Sequence, residues 1–92
     1  MNNYFSKNFN YLLSFNYYSI TELASILNVS RGTIYFYKSG EIMPSIENLI
    51  KISDLFLLDI KALTTIDLSL AKYIPSIAKF SKWILSLLNY IF

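Results

Sequence analysis

The side chains that most often make and break bonds are missing from this sequence. It contains no histidine and no cysteine. That removes the usual general base, the commonest metal ligands and any disulfide framework. Six carboxylates and eight lysines or arginines remain. No pair of carboxylates, and no nucleophile with a base, falls at a spacing that would bring the two together. The expectation is a protein that is not an enzyme and takes no metal or cofactor. The stretch in which polar side chains recur at a meaningful spacing is Ile20–Ser39 with its flank. Ser19 stands three residues before Glu22, which is a capping box. Ser30 is placed to cap a following helix, with Arg31 and Thr33 beside it and Lys38 and Ser39 near its end.

These residues need elements to position them. Two glycines and two prolines punctuate 92 residues, and apolar positions recur at helical rather than strand spacing. The expected fold is all-α. Phe5, Phe9, Leu12 and Asn16 step by four, three and four, with Tyr4, Tyr11 and Leu13 widening the stripe, so a first helix is expected near residues 3–16. A second runs from the Ser19 cap to about Leu27. Asn28 suits a left-handed turn. A third helix runs from the Ser30 cap to Gly40. Pro44 and Ser45 open a fourth, Ile46 to about Phe56, with Glu47 favourable to its dipole. Asp59 is placed to cap a short fifth helix through Thr64. One or two apolar helices follow, broken by Pro75 and ending near Tyr90. The apolar fraction of 54% and charged fraction of 15% exclude disorder. A weak boundary at Thr64–Asp67 separates residues 1–65 from an extension, 66–92.

Two short helices joined by a three- or four-residue turn make a helix-turn-helix. The interior demands of that motif are met: Leu23, Leu27, Val29, Ile34 and Tyr37 fall where the helices share a core. Ala24 falls at their close crossing, and Asn28 occupies the tight turn. The surrounding run resembles the phage repressor/Cro-like family, also called the xenobiotic-response-element (XRE) family, over roughly residues 5–64. The resemblance is carried by Glu22-Leu23-Ala24, Val29-Ser30-Arg31, Thr33-Ile34, Ser39-Gly40 and Pro44-Ser45-Ile46-Glu47-Asn48-Leu49. It implies a five-helix DNA-binding domain, usually dimeric, acting as a transcriptional repressor or activator.

On that implication the third helix is the DNA reader. With Ile34 and Tyr37 inward, the turn of roughly 100° per residue puts Gly32, Tyr35, Phe36 and Ser39 outward and Arg31 at the N-terminal edge. Arg31 is the candidate for bidentate contact with a guanine. Gly32 leaves room for close approach, and Tyr35 or Phe36 can pack on a thymine methyl. Ser30, Thr33 and Ser39 are candidates for phosphate contact, which sets register rather than sequence. Each has a plainer reading. Arg31 is otherwise a solvated arginine, Ser30 a helix cap, and the aromatic pair a protein contact. The expected function is a repressor that reads the major groove with residues 31–38. The alternative is a helix-turn-helix scaffold that grips proteins without strong DNA binding.

Charge tempers the first reading. Through residue 65, Lys7, Arg31, Lys38, Lys51 and Lys61 are cancelled by Glu22, Glu41, Glu47, Asp54 and Asp59, and the net charge of +2 comes from the extension. Ile20 stands where the family often has a phosphate-touching glutamine. The loop after the third helix reads Glu41-Ile42-Met43 rather than basic, and Leu57 replaces a common glycine. Few phosphate-neutralising cations remain, so the salt dependence should be shallow.

In the extension, Ile66, Leu70, Tyr73, Ile77, Phe80, Ile84, Leu87 and Ile91 alternate steps of four and three, the seam of an associating helix. Ala78, Leu85, Leu88 and Phe92 add a second stripe. Two uses are open for these stripes: Ile77, Phe80, Ile84, Leu87, Leu88 and Ile91 complete the core, or they form a homodimer interface. The same helix is a candidate grip for a protein partner. A membrane-surface role has only Trp83 and three lysines behind it. The longest apolar run is far short of the ~20 residues that span a bilayer, and no leader pattern is visible. The expected location is the cytoplasm.

Overall fold

The computed structural model describes residues 3–74, and the expected tail residues Ile77, Phe80, Ile84, Leu87, Leu88 and Ile91 lie outside that range. Within it the chain is helical and has no strand. The elements are α1 (Phe5–Leu13), α2 (Ile20–Leu27), α3 (Arg31–Ser39), α4 (Ile46–Leu55) and α5 (Ile60–Thr65).

Local chemistry sets the boundaries. Ser19 Oγ accepts from the Glu22 amide while Glu22 Oε1 accepts from the Ser19 amide, both at 3.0 Å, so the capping box closes at the start of α2. Ser30 Oγ accepts from the Thr33 amide at 3.1 Å, and Ser45 Oγ from the Asn48 amide at 3.2 Å. At the far ends, Asn28 (φ 55°) and Gly40 (φ 83°) turn left-handed, as their types permit. Asp59 sits at the N-cap of α5 in extended backbone but makes no side-chain cap bond, and the helix runs one residue further than expected.

The first helix is shorter than the periodicity suggests. It begins at Phe5 and ends at Leu13, and Asn16 lies beyond it, exposed, with φ 62°. The fourth buried position of α1 is therefore not Asn16 but Asn8, which is fully buried. Its amide Nδ2 donates to the carbonyls of Leu63 and Ile66, both at 2.7 Å, and its Oδ1 accepts from the Leu68 amide at 3.0 Å. One side chain thus joins α1 to the end of α5 and to the chain that follows.

Phe5, Phe9 and Leu12 of α1, Leu23 and Leu27 of α2, Ile34 and Tyr37 of α3, Ile52 and Phe56, and Leu63 of α5 form a single core. Helix α1 packs on α3 and α5, α2 on α3, and α4 on α5. Beyond α5 the chain makes turns rather than a helix up to Tyr73. Asp67 organises them: its Oδ1 accepts from Ser69 N, Ser69 Oγ and Leu70 N, and its Oδ2 accepts from Lys7 Nζ at 2.6 Å. In turn geometry the heptad-like seam has no common face. Leu68 is buried, whereas Ile66 is 46% and Leu70 79% exposed. Tyr11 Oη donates to the Tyr73 carbonyl and Tyr73 Oη to the Phe56 carbonyl, which fastens this segment to the helical core.

Candidate nucleic-acid interface

Two helices, α1 and α2, hold α3 in place. Its inner face carries Ile34 and Tyr37, both buried. The Tyr37 ring meets Phe5 and Phe9 edge-on, with centroids 6.3 Å away in each case, and those two rings stack on each other at 5.3 Å. Edge-to-face pairs resist rotation of either ring, so α1 fixes the roll of α3 about its axis. The C-terminal end is tied as well. The Lys38 carbonyl, one of those a helix end leaves unpaired, accepts from Ser6 Oγ and Asn10 Nδ2 of α1, both at 2.7 Å. At the other end the left-handed Asn28 and the Val29 amide, which donates to the Ala24 carbonyl at 3.0 Å, set the angle between α2 and α3.

With the inner face locked, the outer face is defined. Arg31, Gly32, Tyr35, Phe36 and Ser39 are exposed, Thr33 and Lys38 are half-buried, and Ser30 is exposed at the cap. Tyr35 is 55% and Phe36 43% exposed, high values for rings of this size. Lys38 Nζ stands 5.6 Å from the Tyr35 ring centroid, a cation–π distance that steadies the ring and keeps the ammonium near the outer face. Lys38 is not among the contact candidates read from the sequence. The loop folds back on the same end, with the Ile42 amide donating to the Phe36 carbonyl at 3.4 Å. Ile42, also exposed, is thus held beside the C-terminal end of α3.

The hydroxyls are less free than their types suggest. Ser30 Oγ and Thr33 Oγ1 lie 2.9 Å apart and share a proton, leaving one hydroxyl proton of the two to donate outward. Ser39 Oγ donates to the Phe36 carbonyl and accepts from the Glu41 amide, so it must exchange one bond for another to meet a ligand. Glycine at position 32 is not required by the fold. It sits in ordinary helix, and a Cβ there would meet only Ser30 Oγ, at a comfortable 3.7 Å. The structure therefore brings Ser30, Arg31, Gly32, Thr33, Tyr35, Phe36 and Ser39 onto one rigid element. Among the described residues no cluster of acidic side chains could hold a metal ion, and no helix is long and apolar enough to cross a membrane.

Comparison with known proteins agrees with this fold. Residues 16–63 match the helix-turn-helix family. The crystal structure of a transcriptional regulator from Listeria innocua is similar, with a TM-score of 0.66 and 31% identity. The match covers 95% of this chain and 78% of that one. No curated protein matches the chain.

Proposed function

Because the chain belongs to the helix-turn-helix family, in its XRE-type branch of DNA-binding transcription regulators, we propose that it is a sequence-specific repressor that lays α3 in the major groove. The observation that carries this reading is the asymmetry of α3. Its inner face is locked by Tyr37, Ile34 and the bonds from α1, while Arg31 and Gly32 stand exposed at the N-terminal end, the end a recognition helix presents to base edges.

In this reading Arg31 makes a bidentate contact with a guanine, Tyr35 and Phe36 supply apolar contact, and Ser30, Thr33 and Ser39 meet phosphates. Repression follows from occlusion of the polymerase, in the cytoplasm. The chain works as a homodimer through Ile77, Phe80, Ile84, Leu87, Leu88 and Ile91, with half-sites roughly 34–36 Å apart. Two poorly charged recognition surfaces then act together. The test is selection from a random duplex library followed by anisotropy titration. Arg31→Ala should lose about 1–3 kcal/mol of discrimination at one base pair while the fold is kept; unchanged specificity in that variant refutes the assignment.

A second reading rests on the exposed side chains of Tyr35, Phe36 and Ile42, which also suit a protein-binding surface. Retention on bulk DNA at low salt separates the two: a DNA reader is held, a protein-binding module is not.

A further inference from the structure

Tyr35 and Phe36 stand three and four residues after Gly32, so all three share one stretch of the outer face of α3. At Gly32 that face has no Cβ, and nothing in the fold asks for its absence. The backbone is ordinary helix, and an added Cβ would touch only Ser30 Oγ at 3.7 Å. Gly32 is the second residue of α3, and glycine loses more backbone freedom on folding than alanine would there, with no structural return. The result is a notch: the bare helix backbone is its floor, and the exposed rings of Tyr35 and Phe36 form its rim on the C-terminal side. The two rings make the rim apolar on their own account, with Lys38 Nζ 5.6 Å from the Tyr35 centroid, and the hydroxyls of Ser30 and Thr33 are bonded to each other with one proton between them left to donate.

A notch rimmed by two exposed rings, with room for a methyl at ordinary contact distance from Ser30 Oγ, favours an apolar occupant. Base edges in the major groove present hydrogen-bond donors and acceptors, with one apolar feature, the C5-methyl of thymine. We propose that the Gly32 notch is a specificity-determining pocket for a pyrimidine 5-methyl group, thymine in ordinary DNA. It makes α3 a reader of sites that pair this methyl with the guanine contacted by Arg31. The inference rests on the DNA-reading role proposed above and names its substrate class. It also explains how a face so poor in cations gains specificity: the contact excludes water and needs no charge.

The experiment starts from duplexes enriched from a random library. Each thymine of the best duplex is replaced in turn by uracil, which removes the methyl and leaves the hydrogen-bonding edges unchanged. At one thymine per half-site, binding should weaken about fourfold, the factor that burial of one methyl is worth. Replacing the same base pair by 5-methylcytosine·guanine should bind more tightly than unmethylated cytosine·guanine by a similar factor. Gly32→Ala fills the notch with the protein's own methyl. It should melt at or above the wild-type temperature, bind the thymine duplex several-fold more weakly, and bind thymine and uracil duplexes alike. Uracil tolerated at every thymine, or a Gly32→Ala protein that keeps the full thymine preference, overturns the notch and leaves DNA reading intact. A library from which no duplex is enriched overturns the DNA-reading role itself.

Discussion

Asn8 offers the sharpest test of how the domain is held together. Its amide answers three backbone groups: the carbonyls of Leu63 and Ile66 and the amide of Leu68, at 2.7, 2.7 and 3.0 Å. Two of the three bonds are buried and the third partly so. Asn8→Ala leaves all three groups without a partner. An unpaired buried polar group costs about 1–3 kcal/mol, and the partly buried one less, because water reaches it. The sum is about 3–5 kcal/mol, a large fraction of the ~5–15 kcal/mol that holds a typical domain. At roughly 4–8 °C per kcal/mol for a domain of this size, the thermal midpoint should fall by at least ~12 °C. Asn8→Leu should lose nearly as much, since its volume fills the site but pairs nothing. Thermal and urea unfolding followed by circular dichroism measure both, and hydrogen exchange at Leu68 should quicken in either variant. A loss under about 1 kcal/mol in Asn8→Ala would show that the fastening at Asn8 is incidental.

Three further outcomes follow from other parts of the structure. Lys7, first by its hydrogen bond and then with help from Ser69, holds the Asp67 carboxyl at about 2 rather than the ordinary value near 3.8. The folded state therefore favours the charged form. That contribution is intact above about pH 4 and is lost as the pH falls through about 2. Lys7→Met should flatten the acid branch of a plot of thermal midpoint against pH and leave the neutral region nearly level. Leu57 holds φ 52° after α4, a strain of ~1–2 kcal/mol for a residue with a Cβ. Leu57→Gly should raise stability by about 0.5 kcal/mol once the flexibility of glycine is charged against it, as the urea midpoint would show, whereas Asn28→Gly should change little. Finally, Arg31 and Lys38 are the cations α3 offers, so a dimer on its selected duplex should show a log–log salt slope no steeper than about −4. A slope near −8 would require phosphate contacts from a surface other than α3.

Features built from bonds within one turn were legible in the sequence. The capping box at Ser19 and Glu22, the caps at Ser30 and Ser45, and the left-handed Asn28 and Gly40 each depend on a residue type and a spacing of a few positions. The outer face of α3 followed from Ile34 and Tyr37 by helix geometry alone. Bonds that span the chain were not legible. The partners of Asn8 lie 55 to 60 residues away, and in the sequence it is one asparagine among several. The stripe of α1 pointed to Asn16 because it ignored the turn that ends the helix at Leu13. The seam of the extension assumed a helix where Asp67 instead gathers Ser69 and Leu70 into turns, so Leu68, off the seam, is the residue buried. On the recognition face, residue types gave the exposed positions. They could not give the pairing of Ser30 with Thr33 or the approach of Lys38 to the Tyr35 ring.

The proposed DNA contact is the outer face of α3. An amide chemical-shift titration of labelled protein with a duplex enriched from the random library maps it residue by residue. The largest changes should fall on Arg31, Gly32, Tyr35 and Phe36, with smaller ones at Ser30, Thr33 and Ser39, and the core amides of α5 should stay in place. Changes that instead gather on α1 or around Leu70 and Ile74, with α3 silent, would rule out α3 as the DNA-binding surface.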